Sequence, residues 1–490
     1  MGERHQRWDD YAKLPIYKKL EEITGKKVKF TMGTDLQMDY STKSYPDAII
    51  VINQANAYQG GIEKGIADGV LLDLTDLIDE HAPNYKKLIT SDEKIYRDVV
   101  TDSCKNGAIY EVFSSLQGPW YGYVMRKDLL VKHAAKFTFA YDEIYGCKIP
   151  ITYDDWEQVL SVFKNDEGNK TPLFISPTGF DFLAFLDGGY GVTSANQLYL
   201  QKDGVVEFGQ ATAGAKEYIT MMNRWYKSGF ISSSYTLNVG LDALIPKTSD
   251  CINNAGHTVF PYVYTMIDQL IAAARSLGTA GYDLVPVPRP RKNASDTLHL
   301  VPFVGYDGLT MMITDKCQKP EDVIKWIDFM FSEEGIMLAN YGIEGDTYTK
   351  VGGELAYTDK IVKSGDIQGA MARETLCKLP SVKIWEREFL QVNSSMPEFA
   401  MTAWTGQDDN AWMMPGPITT TAAEAAEMVR IGMPIGQHFS ENIVKFIKGT
   451  RALSQWDQYI AELKEMGLDV AVQIQQAAYD RYKNRTLPTA

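Results

Sequence analysis

Between residues 320 and 349 the chain spells out two helices and the turn that ends them. Pro320 stands where a first-turn residue needs no backbone donor, and Glu321 and Asp322 suit the positive end of the helix dipole. Ile324, Ile327 and Phe331 then follow at spacings of three and four. This pattern predicts a surface helix with one buried face. After Glu333-Glu334-Gly335, a second helix over residues 335–341 is expected to stop at Gly342. The loop Tyr341-Gly342-Ile343-Glu344-Gly345 must then turn twice through backbone angles that other residues avoid.

At 490 residues with 45% hydrophobic content, the chain exceeds what one core usually holds, so two or three lobes are expected. Its 63 acidic residues against 49 basic ones give a formal charge of -14. With no long basic run, that balance argues against nucleic acid and anionic membrane surfaces as partners. No window approaches the roughly 18 consecutive apolar residues of a spanning helix. Met1-Gly2-Glu3-Arg4 runs straight into polar residues and reads as no signal segment. Cys104, Cys147, Cys251, Cys317 and Cys377 are widely separated and odd in number, which indicates neither a disulfide framework nor a thiolate zinc site; buried thiols are expected. His5, His81, His133, His257, His299 and His438 never approach metal-ligand spacing, so neither a metal centre nor another cofactor is expected.

Ile16, Leu20 and Ile23 mark a helix over residues 10–24 closed by Gly25, and Val28 to Phe30 reads as a strand. Ala48-Ile49-Ile50-Val51-Ile52 is an unbroken aliphatic run that suits a parallel strand covered on both faces, with Asn53 and Gln54 at its carboxyl end, where open sheets bind ligands. Residues 61–67 look helical, and Asp73 and Thr75 introduce a further helix. Asn106-Gly107 is expected to join two short strands, and Trp120 to Val124 reads as an extended run before the charged step Arg126-Lys127-Asp128. Thr152 caps a helix carrying Trp156, Val159, Leu160 and Phe163, and a second helix covers residues 214–225. Pro286-Val287-Pro288-Arg289-Pro290 must be a linker or an edge segment, and residues 309–313 return to a strand.

This order of elements resembles the family 1 extracellular solute-binding proteins of bacterial ABC importers, in particular the large lipoprotein-like branch that handles oligosaccharides. The resemblance rests on Tyr45-Pro46-Asp47-Ala48-Ile49-Ile50, Ile66-Ala67-Asp68-Gly69-Val70-Leu71-Leu72-Asp73-Leu74, Arg126-Lys127-Asp128-Leu129-Leu130 and residues 152–156. It continues through Trp225-Tyr226-Lys227-Ser228-Gly229-Phe230-Ile231, the helix of residues 320–331, Gly342-Ile343-Glu344-Gly345, Phe446-Ile447-Lys448-Gly449 and the closing helix over residues 454–466.

The resemblance implies an α/β, two-lobed, periplasmic-binding-protein-like (type II) fold with several inter-lobe crossings. Residues 1–124 and 300–340 would form the N-terminal lobe, and residues 125–299 and 341–490 a helix-rich C-terminal lobe. It further implies a monomer, an oligosaccharide ligand, a membrane permease as partner, and an extracellular place held by a lipid anchor preceding Met1. Two departures stand out. The family usually begins with a strand, which residues 1–10 do not supply, and the stretch of residues 32–43 is short for the usual helix. Some members carry a calcium loop after the helix that here starts near Thr152. Asn165-Asp166-Glu167-Gly168-Asn169-Lys170 is too short for alternating oxygen ligands, and no metal is expected there.

A sugar offers apolar C–H faces and a rim of hydroxyls, so its cleft needs flat aromatic rings flanked by carboxylates and amides. Trp156, Trp225, Trp326 and Trp456 sit at helical spacing among apolar neighbours and are assigned to the core. The candidate ligand-binding residues are Trp120 and Tyr121 at the first crossing, Trp404, Asp408 and Trp412 in a polar loop, Tyr262 and Tyr264 at a strand end, and Tyr306 and Asp307 at the return crossing. Asn53, Gln54 and Trp385 complete the set. Two other readings remain open: the same clamp around a peptide or other small polar solute, and a glycan-active enzyme. The enzyme would need two carboxylates at a defined separation, whereas Glu386 with Glu388 and Asp408 with Asp409 are neighbours in sequence only. No phosphate loop, nucleophile elbow or His-Glu-x-x-His pattern occurs.

Overall fold

The computed structural model describes residues 11–31, 33, 36–52, 57–113, 119–180, 185–192, 198–237, 244–252, 256–300, 308–365, 367–384, 387, 390, 394–406, 408–416 and 418–485. Two large apolar cores are built from alternating stretches of this chain. One draws on Tyr11, Leu20, Ile78 and Ile109, then on Met311, Ile327 and Leu379. The other draws on Tyr123, Trp156, Trp225 and Val287, then on Ala400, Phe446 and Leu468. The chain therefore passes between cores three times: between Ile109 and Tyr123, between Val287 and Met311, and between Leu379 and Ala400.

The strands that shape this arrangement are, in chain order, β1 (Ala48–Ile52), β2 (Ile109–Tyr110), β3 (Val112–Phe113), β4 (Tyr121–Arg126), β5 (Val259–Val263), β6 (Leu284–Pro286), β7 (Leu309–Ile313) and β8 (Val382–Lys383). The first lobe holds an antiparallel sheet of order β1-β7-β2, with Ile52 opposite Leu309 and Tyr110 opposite Thr310. The second holds an antiparallel sheet of order β6-β4-β5, with Tyr121 opposite Val263 and Pro286 opposite Val124. Beside the first core β3 and β8 pair in parallel, Val112 against Val382.

The helices follow the sequence signals closely. Pro320–Asp328 begins with proline in its first turn and buries Ile324 and Ile327, and Glu333–Tyr341 is capped by the Ser332 hydroxyl, which accepts from the Gly335 amide at 3.1 Å. Gly342 ends it with φ at 89°, a region closed to most side chains. Tyr153–Asp166 has the reciprocal cap of Thr152 and Asp155 and buries Trp156, Val159, Leu160 and Phe163, each worth about 1.5–3 kcal/mol of burial. Ala213–Lys227 and Pro15–Thr24, the latter closed by Gly25, are also as expected. Trp225, Trp326 and Trp456 are buried, as assigned. Among the five free cysteines only Cys147 and Cys251 are buried; Cys104, Cys317 and Cys377 are half-buried.

Four expectations are corrected. The run Ala48–Ile52 pairs antiparallel with β7 and lies at the sheet edge with Ile52 exposed, while the central strand β7 is the one buried throughout. An aliphatic run fixes neither strand direction nor burial on both faces. Val28 and Phe30 pack on the first core but form no strand. Asn106 joins no hairpin: its amide donates to the Thr75 hydroxyl at 3.0 Å and its carbonyl accepts from the Leu74 amide at 2.6 Å, so the helix Thr75–His81 takes the groups a ladder would have used. Residues 341–379 pack with the first lobe, which moves the division expected at residue 340. The turn at Gly342 sends the chain back, Tyr341, Tyr348, Tyr357 and Ile361 form a small core of their own, and Leu379 rejoins the first core.

Candidate functional site

The three crossings leave and enter the two sheets at definite ends. The first runs from β2 through Glu111 into β3, and reaches β4 by way of Pro119 and Trp120. The second leaves β6 and re-enters the first sheet through Gly308 and β7, and the third leaves β8 at Lys383 and reaches the second core at the helix Met396–Thr405. The first-lobe ends meet around Glu111. The Glu111 amide donates to Leu309 O at 2.8 Å, its carboxylate accepts from the Leu309 amide at 3.2 Å, and the Val112 amide donates to Ser381 O at 3.0 Å.

Asn340, buried at the end of the helix Glu333–Tyr341, pins the third crossing. Its side-chain amide donates to Val382 O at 2.7 Å, its side-chain oxygen accepts from the Ile384 amide at 2.8 Å, and its main-chain carbonyl accepts from Arg387 Nη1 at 2.8 Å. Burial pushes the Glu111 carboxyl up, against the opposing pull of Lys383, the Leu309 amide, Arg387 and Lys378. Burial likewise lowers the Lys378 ammonium, against the pull of Glu111. The crossing thus carries partly buried charged groups of both signs, where each acts more strongly than on the open surface.

On the second sheet, Trp120 is half-buried against the second core, its ring 4.6 Å from that of Tyr121 at 56°. Its carbonyl accepts from the Tyr264 amide at 3.3 Å, which ties the first crossing to the end of β5. The turn Tyr264–Met266 follows, with Met266 exposed.

The other expected site residues fall differently. Trp404 is a correction: it lies wholly inside the second core on the helix Met396–Thr405, covers Gly122 with its ring and donates its indole N–H to Tyr123 O at 2.9 Å. Pro397, Ala400, Ala403 and Trp404 form the buried face of that helix, a period hidden by the polar residues that follow. Asp408 is a second correction. Its side chain is 2% exposed and accepts from Arg289 at 2.9 Å, from Arg291 at 3.3 Å and from the Leu298 amide at 3.0 Å, so it fastens the 289–300 segment. Tyr121, Tyr262 and Tyr264 are buried and offer no open ring face. Trp412 is half-buried, with the His299 ring centroid 4.7 Å from its own and Lys202 Nζ 4.5 Å from its ring centroid. Asn53, Gln54, Tyr306, Asp307 and Trp385 lie outside the described residues.

Glu111 and Asn340 were missed by the sequence reading. The signal for Glu111 is a lone carboxylate inside the apolar run Ile109-Tyr110-Glu111-Val112-Phe113. Asn340 sits at the end of a helix, where its sequence context is unremarked. Among the described residues no group of three His, Cys, Asp or Glu side chains is placed to hold a metal ion, and no helix is long and apolar enough to cross a membrane.

No protein-family model matches the chain. It is 23% identical over 499 residues to the fructooligosaccharide ABC transporter substrate-binding protein FusA of Streptococcus pneumoniae, an alignment covering 96% of this chain and 87% of that protein. It is 22% identical over 378 residues to lipoprotein LipO of Bacillus subtilis, covering 72% of this chain and 67% of that protein. Among solved structures, an extracellular solute-binding protein from Bifidobacterium longum subsp. infantis superposes with a TM-score of 0.74 at 17% identity, covering 96% of this chain and 95% of that one. The fold is the periplasmic-binding-protein-like one expected from the sequence, and the resemblance to ABC-transporter solute-binding proteins stands.

Proposed function

We propose, from the premise that the chain has the fold of ABC-transporter solute-binding proteins and is related to them along most of its length, that it is the substrate-binding component of an importer. It captures an oligosaccharide between the two lobes and closes on it. The observation that carries this reading is that three crossings join two sheets belonging to separate cores, with Glu111 at the first-lobe ends of the crossings and Trp120 where the first of them enters the second sheet. A ligand that touches both lobes favours the closed form by the contacts it gains there. Trp120 is the ring assigned to a sugar face. Asn53, Gln54, Tyr306, Asp307 and Trp385, which adjoin the same sheet ends and crossings in sequence, are assigned to the surrounding polar and aromatic contacts, and Trp412 to a more distant one. The protein works outside the cell as a monomer, held to the membrane by a lipid, and hands its cargo to a permease.

A thermal-shift panel of oligosaccharides, peptides and small polar solutes tests the reading, because a ligand at a hundredfold over its Kd adds roughly 2.7 kcal/mol to stability. The expected result is a shift with oligosaccharides and, by calorimetry, an affinity about tenfold weaker in Trp120→Ala. Hits confined to peptides would replace the cargo, and cleavage products in the sugar incubations would replace the binding role by an enzymatic one.

A further inference from the structure

A fourth tie joins the lobes, and it is not covalent. Asp98 and Asp102 lie at and just beyond the end of the first-lobe helix Glu93–Val99, and they receive groups from the end of the second-lobe helix Leu468–Lys483, from Arg485 just past it, and from Thr419 just ahead of the helix Ala422–Lys448. Arg485 donates to Asp102 Oδ1 through Nε at 3.0 Å and Nη2 at 2.9 Å, and through Nη1 to Arg97 O at 2.8 Å. Arg481 and the Thr419 hydroxyl reach Asp102 Oδ2 at 3.2 and 3.0 Å. Arg481 also holds Glu424, in the first turn of Ala422–Lys448, at 3.0 Å through Nη1. The Tyr482 hydroxyl donates to Asp98, which also pairs with Lys94 at 2.8 Å.

The Arg485 side chain is fully buried and that of Asp98 is 2% exposed, so separating these groups would strand charge away from water. The cluster also adjoins the root of the first crossing. Burial raises the phenol of Tyr110, the last residue of β2, and the charge of Arg485 partly offsets that rise. Groups near a rotation axis move least when two bodies turn, so contacts that are costly to break belong there rather than at the mouth of a cleft.

We propose that this clasp of Asp98, Asp102, Thr419, Arg481, Tyr482 and Arg485 is the pivot of the clamp, kept in both open and closed forms, and that Asp102 and Arg485 are positioning residues that fix the axis of closure. The inference rests on the two-lobed clamp reading, though not on which cargo it takes. Loss of the clasp leaves the three covalent crossings as the ties between lobes and widens the set of open forms. Binding must then order more of the molecule, which weakens it without any lost ligand contact.

Small-angle X-ray scattering from the ligand-free full chain tests this directly. Arg485→Met and the milder pair Asp102→Asn with Tyr482→Phe, each checked for a native far-UV dichroism spectrum, are compared with the parent. The expected result is a larger radius of gyration and a broader pair-distance distribution in both. With maltohexaose, kestose or whichever panel sugar shifts the parent, affinity falls roughly fivefold or more, and Arg485→Lys recovers part of the loss. If Arg485→Met does not fold, the milder pair decides. Scattering curves of the folded milder pair that superpose on the parent overturn the pivot. Because that comparison needs no ligand, an empty sugar panel would count against the importer reading alone.

Discussion

Replacing Trp404 by alanine is expected to lower stability by about 3–5 kcal/mol, read as a fall in the denaturation midpoint of the second lobe. The indole is fully buried, it covers the backbone at Gly122, and its N–H is one of two donors to the Tyr123 carbonyl in the central strand β4. Alanine therefore opens a cavity and removes one of the two donors to that carbonyl, leaving it the Val287 amide at 3.1 Å. A ring that served a sugar instead would leave the midpoint nearly unchanged and remove binding. The expected pattern is the reverse: reduced stability, with the folded fraction still binding its ligand at parental affinity.

Asp408→Ala is expected to cost about 3–5 kcal/mol as well, for an electrostatic reason. Arg289 is completely buried and Arg291 nearly so, and both turn their guanidinium groups to the same Asp408 oxygen. Without it, two cations remain in a dry setting with only carbonyl partners, Leu300 O for Arg289 and Asp296 O for Arg291. Asp408→Ala with Arg289→Met should recover a large part of the loss, since removing both members of a buried pair is far milder than removing one. Urea denaturation of the two variants checks this, and equal midpoints for parent and Asp408→Ala would contradict it.

Where local chemistry dictated structure, the sequence was sufficient. The cap at Thr152, the proline at Pro320 and the stops at Gly25 and Gly342 are set by groups a few residues apart, and each formed as read, whereas the Ser332 cap, which starts its helix two residues before the expected Gly335, was not read. Strand partners were less legible. The run at Ala48–Ile52 carries no information on whether its neighbour runs parallel or antiparallel, because that depends on Leu309–Ile313, more than 250 residues on in sequence. The lobe boundary was misjudged because Gly342 announces a turn but not its direction. The site was less legible still. Trp404 and Asp408 sit in a stretch that reads as polar loop, yet their partners, Tyr123 on one side and Arg289 on the other, come from distant segments that no spacing rule connects. Trp120 could be singled out because Pro119 and a crossing flank it, whereas Glu111 needed the fold to reveal that three crossings converge on it.

Two lobes gripping one ligand from both sides are measured most directly by amide hydrogen exchange with and without a bound oligosaccharide. Slower exchange is predicted on both lobes at once, in peptides spanning Ile109 to Phe113 and Leu309 on the first and Trp120 to Tyr121 and Tyr262 to Met266 on the second. Protection confined to one lobe, or none at these sheet ends despite saturation, would contradict it.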